Sequence, residues 1–294
     1  MFESYIGNSQ AIERLSAWVE SKTSTGVLLR GRKGMGLRDL ALNVAKEVLN
    51  APSLDGHPDF VFIEPDESGK IGVELIKEVI DKADYKPLKG RINVAVIDGF
   101  DATNDIAQNK LLKTLEDSEN LVIIGVNYSD RVLDTIKSRM LTISFKPLTE
   151  TEFKDSYNGE EADFAYILTR GCVEGINDEV VAYYKPIAEA VALDDDKDLF
   201  RILHLVKEKD ADSYISVRKK ELPMLLNLLE SCYLDLLRYE VLGEIGKIAQ
   251  PEVIHDRESL HKKAELVRME KEKSSYPGYS KDDFFLFICE LAAN

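Results

Sequence analysis

Apolar residues fall into two alternating rhythms along the first half of the chain. Unbroken apolar runs at Gly26-Val27-Leu28-Leu29, Phe60-Val61-Phe62-Ile63, Arg91 to Asp98, Leu121 to Val126 and Leu141 to Phe145 predict strands. Runs apolar at nearly every position suit strands of a parallel sheet covered on both faces. Between them, apolar positions recur at helical spacing over Ile12 to Glu20, Asp39 to Asn50, Gly72 to Ala83, Ala102 to Asp117 and Val132 to Met140. The first of these helices has Asn8 or Ser9 as its predicted N-cap. Strand and helix alternate five times, which predicts a doubly wound α/β domain.

After Pro147 the strand pattern stops. Thr149, followed by Glu150 and Glu152, reads as a capped helix start with acids in its first turn. Two or three short helices are expected up to about Lys185. From Pro186 the pattern is helical nearly throughout, most apolar at Leu199 to Val206 and Leu222 to Leu237. A loop at Ser274 to Gly278 precedes a last helix from Asp282 to Ala293. Such stripes are expected to pack as a bundle. A chain of 294 residues suits two or three domains.

Composition narrows the function classes. With 44% hydrophobic and 31% charged residues the chain reads as globular. No apolar run reaches the roughly 18 residues of a membrane span, and Met1 to Tyr5 lacks the basic and then apolar regions of a signal peptide. A cytoplasmic location is therefore expected. Cys172, Cys232 and Cys289 are too scattered for a disulfide framework or zinc site and read as buried reduced thiols. His57, His204, His255 and His261 form no ligand pair, and the last two, in a charged helical stretch, read as solvated. No metal site is expected. The net charge of −15 falls mostly on residues 149–294, which balance to −12 against −3 for residues 1–148. That half is a poor autonomous DNA binder, because nucleic-acid affinity rests mainly on neutralising phosphates.

Candidate chemistry centres on Gly31-Arg32-Lys33-Gly34-Met35-Gly36-Leu37-Arg38, between a predicted strand and a predicted helix. Strand, glycine loop and helix form the setting of a P-loop, in which backbone N–H groups hold phosphates. A Lys then reaches the β/γ-phosphates and a Ser or Thr ligates Mg²⁺. Those two places are held here by Leu37 and Arg38. Asp98, at the carboxyl end of a predicted central strand, stands where open α/β sheets bind ligands.

Five stretches occur in order: the glycine loop, His57-Pro58-Asp59, Ile97-Asp98, Asn109-Lys110-Leu111-Leu112-Lys113-Thr114-Leu115-Glu116-Asp117, and Thr135-Ile136-Lys137-Ser138-Arg139. Together they resemble the bacterial DNA polymerase III clamp loader, most nearly its delta-prime subunits, within the AAA+ class. The resemblance covers about residues 7–147; the remainder matches only in length and helical character. It implies an AAA+ core (1–147) with a degenerate P-loop, a helical lid (148–185) and an all-α collar (186–294) that joins a hetero-oligomer. It further implies a subunit that hydrolyses no ATP itself and helps load a sliding clamp onto primer–template DNA. ATP and Mg²⁺ would be bound by gamma/tau-like motor subunits, with a delta-like subunit opening the clamp. The clamp and DNA would be indirect partners. Arg139, with Ser138 in the same motif, would be the arginine lent to a neighbour's ATP site. A guanidinium stabilises charge on a γ-phosphoryl group in transfer, and its planar fork stays charged. Read without the motif, Arg139 is a surface arginine stabilised by a helix C-terminus.

Several departures from the active pattern agree with such a role. Gly99 follows Asp98 where an active AAA+ subunit carries Glu, so Asp98-Gly99 is a degenerate Walker B. Cys172-Val173-Glu174-Gly175-Ile176 stands where the lid's Gly-Ser-Pro-Gly-Arg is found, so Ile176 replaces a phosphate-sensing Arg. Asn127 or Val126 falls at the sensor position. The segment Asn50 to Gly56 lacks the family's four-cysteine module, so no zinc is expected. Two other readings stay open: an AAA+ ATPase in which Lys33 substitutes for the missing Lys, and an AAA+-shaped scaffold outside replication.

Overall fold

A computed structural model of the chain describes residues 2, 5–21, 26–66, 68–193, 222–246, 255–274 and 281–293. The chain divides into two compact units, Met1–Leu148 with Cys172–Glu174, and Thr149–Gly171 with Gly175–Asn294.

In the first unit the order is α1 (Ser9–Ser21), β1 (Gly26–Arg30), α2 (Leu37–Leu49), β2 (Phe60–Ile63), α3 (Val73–Asp84), β3 (Asn93–Asp98), a 3₁₀ turn (Phe100–Ala102), α4 (Asp105–Asp117), β4 (Leu121–Asn127), α5 (Asp134–Lys137) and β5 (Met140–Ser144). All five strands pair in parallel, in the order β2-β3-β4-β1-β5. Alternate residues of each strand feed opposite core layers. Val27, Leu29, Val94, Val96, Val122 and Ile124 pack against Leu15, Trp18, Leu40 and Val44 of α1 and α2. Leu28, Ala95, Ile97 and Ile123 pack against Ile76, Val79, Ala107, Leu111 and Ile136 of α3, α4 and α5. Helices thus cover both faces, and the central strands β3 and β4 are buried at every position.

Three local expectations change. Asn8 precedes α1, but its side chain reaches Lys146: its Nδ2 donates to the carbonyl and its Oδ1 accepts the N–H, at 2.9 and 2.8 Å. The helix expected from Ala102 begins at Asp105, because Asn104 accepts the Ala107 N–H at 2.9 Å as an N-cap. The helix expected over Val132 to Met140 shrinks to α5, because Leu133, at ψ of 141°, is not helical and Met140 already pairs with Gly26 in the sheet.

The second unit is helical: α6 (Glu150–Ser156), α7 (Ala162–Thr169), α8 (Asp178–Leu193), α9 (Leu222–Leu242), α10 (Arg257–Ser274) and α11 (Lys281–Ala293). Thr149 and Glu152 form a reciprocal capping box at the start of α6. α9 buries Leu225, Leu229, Cys232, Tyr233 and Leu236 and packs against α7, α8 and α10. α8 runs through Pro186, so the expected 185/186 division falls inside a helix. The buried stripe Val181, Tyr184, Ile187, Ala188 and Val191 continues across the proline and offsets its missing hydrogen bond. His261 is exposed as expected, but His255 is buried, with Nε2 3.2 Å from the Ala192 carbonyl oxygen. Its place just before α10, rather than within a charged helix, accounts for that correction. Cys232 is buried, while Cys172 and Cys289 are partly exposed free thiols. The expected helix at Leu199 to Val206 and the loop after Ser274 lie outside the described residues.

Candidate functional site

The glycine loop joins β1 to α2, with Gly34 and Gly36 at φ of 84° and 72°. Its apolar residues turn inward. Leu37, in the place of the phosphate-binding Lys, is 1% exposed and belongs to the core beneath the loop. Met35 is also buried, and its Sδ accepts the Arg32 N–H at 3.2 Å. The Tyr5 hydroxyl donates to the Met35 carbonyl at 2.9 Å. Burial, with the Cys172 charge adding to it, pushes the Tyr5 phenol well above its ordinary value.

The segment Cys172–Glu174, folded onto this unit, closes over the loop. The Glu174 N–H donates to the Gly34 carbonyl at 2.9 Å. In return the Glu174 Oε2 accepts the Gly36 N–H at 3.4 Å, at the N-terminus of α2. Burial raises the Cys172 thiol, partly opposed by the Arg32 charge.

Arg38, in the place of the Mg²⁺-ligating hydroxyl, points to the carboxyl ends of β2 and β3. Its guanidinium lies 2.8 Å from Glu64 and 3.5 Å from Asp98, and over the Phe62 ring at 4.8 Å from the centroid. The other Asp98 oxygen accepts the Tyr128 hydroxyl at 2.7 Å. Burial and that carboxylate push the Tyr128 phenol far up, so it stays a donor. Both Asp98 oxygens are thereby engaged by protein groups. Lys33 extends over the Tyr128 ring, 5.7 Å from its centroid. Gly99 adopts φ of 78°, and a Cβ there would meet Pro65 Cγ at 3.1 Å. A glutamate in that place would be strained. Asn127 turns its Nδ2 to the Ser129 carbonyl at 2.8 Å, and its buried Oδ1 has no hydrogen-bond partner among the described residues.

Arg139 and Ser138 lie apart from this cluster in the contacts they make, between α5 and β5. The Arg139 Nε donates to Glu116 Oε1 at 2.6 Å, its Nη2 also pairs with that oxygen, and its Nη1 donates to the Thr135 carbonyl at 2.8 Å. The Ser138 hydroxyl donates to the same carbonyl at 2.9 Å. With one third of its side chain exposed, Arg139 is docked on α4 and still reachable from solvent. His57-Pro58-Asp59 has a structural task. Asp59 is 1% exposed, and its carboxylate accepts the N–H groups of Leu88, Lys89 and Gly90 at 2.6, 2.8 and 2.6 Å.

Sequence reasoning brought Gly31, Gly34, Gly36, Leu37, Arg38, Asp98 and Gly99 to one end of the sheet. It gave no role to Glu64, Glu116, Tyr128 or Glu174. Glu116 and Glu174 stood only as members of quoted motifs, and Glu64 carried the signal of an acid directly after a predicted strand, the position that also singled out Asp98. Among the described residues no cluster of His, Cys, Asp and Glu suits a metal ion.

Residues 7–149 match the family described as DNA polymerase III, delta subunit. The replication factor C small subunit of Methanococcus maripaludis is 27% identical over 175 residues, 58% of this chain and 54% of that protein. That of Methanosarcina acetivorans is 26% identical over 174 residues, 58% of this chain and 50% of that protein. The chain spans about half the length of the curated relatives it matches. Among solved structures, a DNA polymerase III gamma subunit-related protein of Thermotoga maritima superposes with a TM-score of 0.56 at 14% identity. That alignment covers 96% of this chain and 99% of that one, and with the parallel sheet it makes the fold α/β of the AAA+ type. Residues 7–149, the segment that carries the glycine loop, Asp98 and Arg139, are thus similar to the DNA polymerase III delta subunit family.

Proposed function

We propose that this chain is a non-hydrolysing, delta-prime-like subunit of a replicative clamp loader that lends Arg139 to the ATP site of a neighbouring motor subunit. The observation that carries the reading is Arg38. A protein cation, paired to Glu64 and Asp98, stands where hydrolysis needs Mg²⁺ and its ligating hydroxyl. Gly99 adds to it, since glycine has no side-chain carboxylate to polarise an attacking water. ATP and Mg²⁺ are then held by gamma/tau-like partners, a delta-like partner opens the clamp, and the chain itself needs no zinc.

Arg139 suits a task in trans because one third of its side chain is exposed, while Thr135 and Glu116 fix its direction. The ATPase alternative asks Lys33 to reach a phosphate, and its placement over Tyr128 speaks against that.

Reconstitution tests the reading. Mixed with motor and delta-like subunits of its own source, the chain should enter one complex on size exclusion and raise that complex's clamp-dependent ATP turnover. The isolated chain should turn over no ATP. Failure to join the complex, or steady turnover by the chain alone, overturns it.

A further inference from the structure

The AAA+ fold implies a Mg-nucleotide, so each place such a ligand needs can be compared with what occupies it. The phosphate place is the ring of N–H groups at the loop and the first turn of α2. There the Gly36 N–H, in the helix N-cap, already has a carboxylate acceptor, Glu174 Oε2 at 3.4 Å. The same residue is tied down from its own backbone, since its N–H binds the Gly34 carbonyl at 2.9 Å. The interior of the loop is filled by the buried Met35, whose sulfur takes the Arg32 N–H at 3.2 Å. The metal place lies between Glu64 and Asp98. A divalent cation needs open oxygens there, and Arg38 and Tyr128 take both oxygens of Asp98. These contacts come from five separate stretches of sequence and match the ligand in charge: an anion at the helix N-terminus, a cation between two carboxylates.

We propose that the chain carries a built-in substitute for Mg-nucleotide, with the Glu174 carboxylate standing for a phosphate and the Arg38 guanidinium for the metal. The substitution keeps the loop in its wound conformation without a ligand. Two carboxylates left facing each other would repel, and an uncapped helix N-terminus would lose the favourable anion. The departures at Leu37, Arg38 and the Cys172–Glu174 segment are then one coordinated change, with the ligand's charges moved into the chain. This deepens the reading above and rests on the loop being non-catalytic, but it does not involve Arg139.

The test uses the full chain, with inorganic pyrophosphate and Mg·ATP as probes. Wild type should give no calorimetric binding of either at millimolar concentration. Glu174→Ala should speed exchange of the Gly36 amide about tenfold, the loss expected for one hydrogen bond to a charged acceptor. Amides of β3 and β4 should be unchanged, showing that the fold persists. Glu174→Gln keeps an acceptor and removes the charge. Both variants should gain pyrophosphate binding at least tenfold over wild type, and added pyrophosphate should restore Gly36 protection in Glu174→Ala. Unchanged Gly36 exchange in Glu174→Ala, or equal pyrophosphate binding by all three proteins, overturns the proposal. Either result leaves the reconstitution test of the trans-arginine role standing by itself.

Discussion

Asp59 offers a prediction whose size can be worked from geometry. Its buried carboxylate holds the 88–90 loop by three backbone N–H groups at 2.6, 2.8 and 2.6 Å. Hydrogen bonds to a charged group contribute about 1.5–3 kcal/mol each, but three on one carboxylate do not add. Leu88 and Lys89 are exposed, so water can serve their N–H groups once the acid is gone. The expected cost of Asp59→Ala is therefore about 3 kcal/mol, well below the sum. For a unit of this size, that is a fall in Tm of roughly 6–12 °C. Burial alone would raise the Asp59 carboxyl; the Leu88, Gly90 and Lys89 donors, with the His57 charge, outweigh it and hold the pKa below the ordinary range. A lowered folded pKa gives stability that is fully present above the unfolded value, about 3.9. That stability disappears as pH falls through the folded value. Urea unfolding of wild type and Asp59→Asn should thus differ by a constant amount above about pH 5, with the gap closing below about pH 4. A gap that stays constant down to pH 3, or widens there, would refute the clasp as a charge-assisted one.

Two further predictions concern the site. Gly99→Glu, which restores the acid of an active AAA+ subunit, should create no ATPase activity and should lower stability by about 1–3 kcal/mol, because the residue sits at φ of 78° against Pro65. Wild-type stability together with new ATP turnover would contradict this. Glu116 and Arg139 should behave as a unit in the reconstituted loader. Glu116→Ala should lower ATP turnover less than Arg139→Ala, and the double variant should match Arg139→Ala alone; independent, additive losses would remove Glu116 from any positioning role.

The sheet was legible because parallel strands covered on both faces carry unbroken apolar runs; β3 and β4 are buried at every position. Helix boundaries followed less directly. Thr103 closes the 3₁₀ turn and Asn104 caps α4, a choice between two local hydrogen-bonding modes that apolar spacing does not record. Pro186 read as a boundary because proline removes a helical hydrogen bond, and the buried stripe of α8 overrides it. The glycine loop and Asp98 were legible as motifs. Their partners were not, since Arg38 with Glu64, Asp98 with Tyr128, and Gly36 with Glu174 meet only through the fold. Glu116 was quoted as part of a motif, but its contact with Arg139 spans 23 positions and follows no periodicity.

The central claim is that Arg139 acts on another chain's ATP. The direct measurement is single-turnover ATP hydrolysis by the assembled loader carrying Arg139→Ala, beside Arg139→Lys and wild type, with assembly checked on the same samples. The account predicts intact assembly and slower hydrolysis at the motor site next to this chain. The loss can be as large as the roughly 10³–10⁵ of a trans arginine, and Lys should recover little of it because it lacks the planar fork. Hydrolysis at the wild-type rate in a fully assembled Arg139→Ala complex would contradict it.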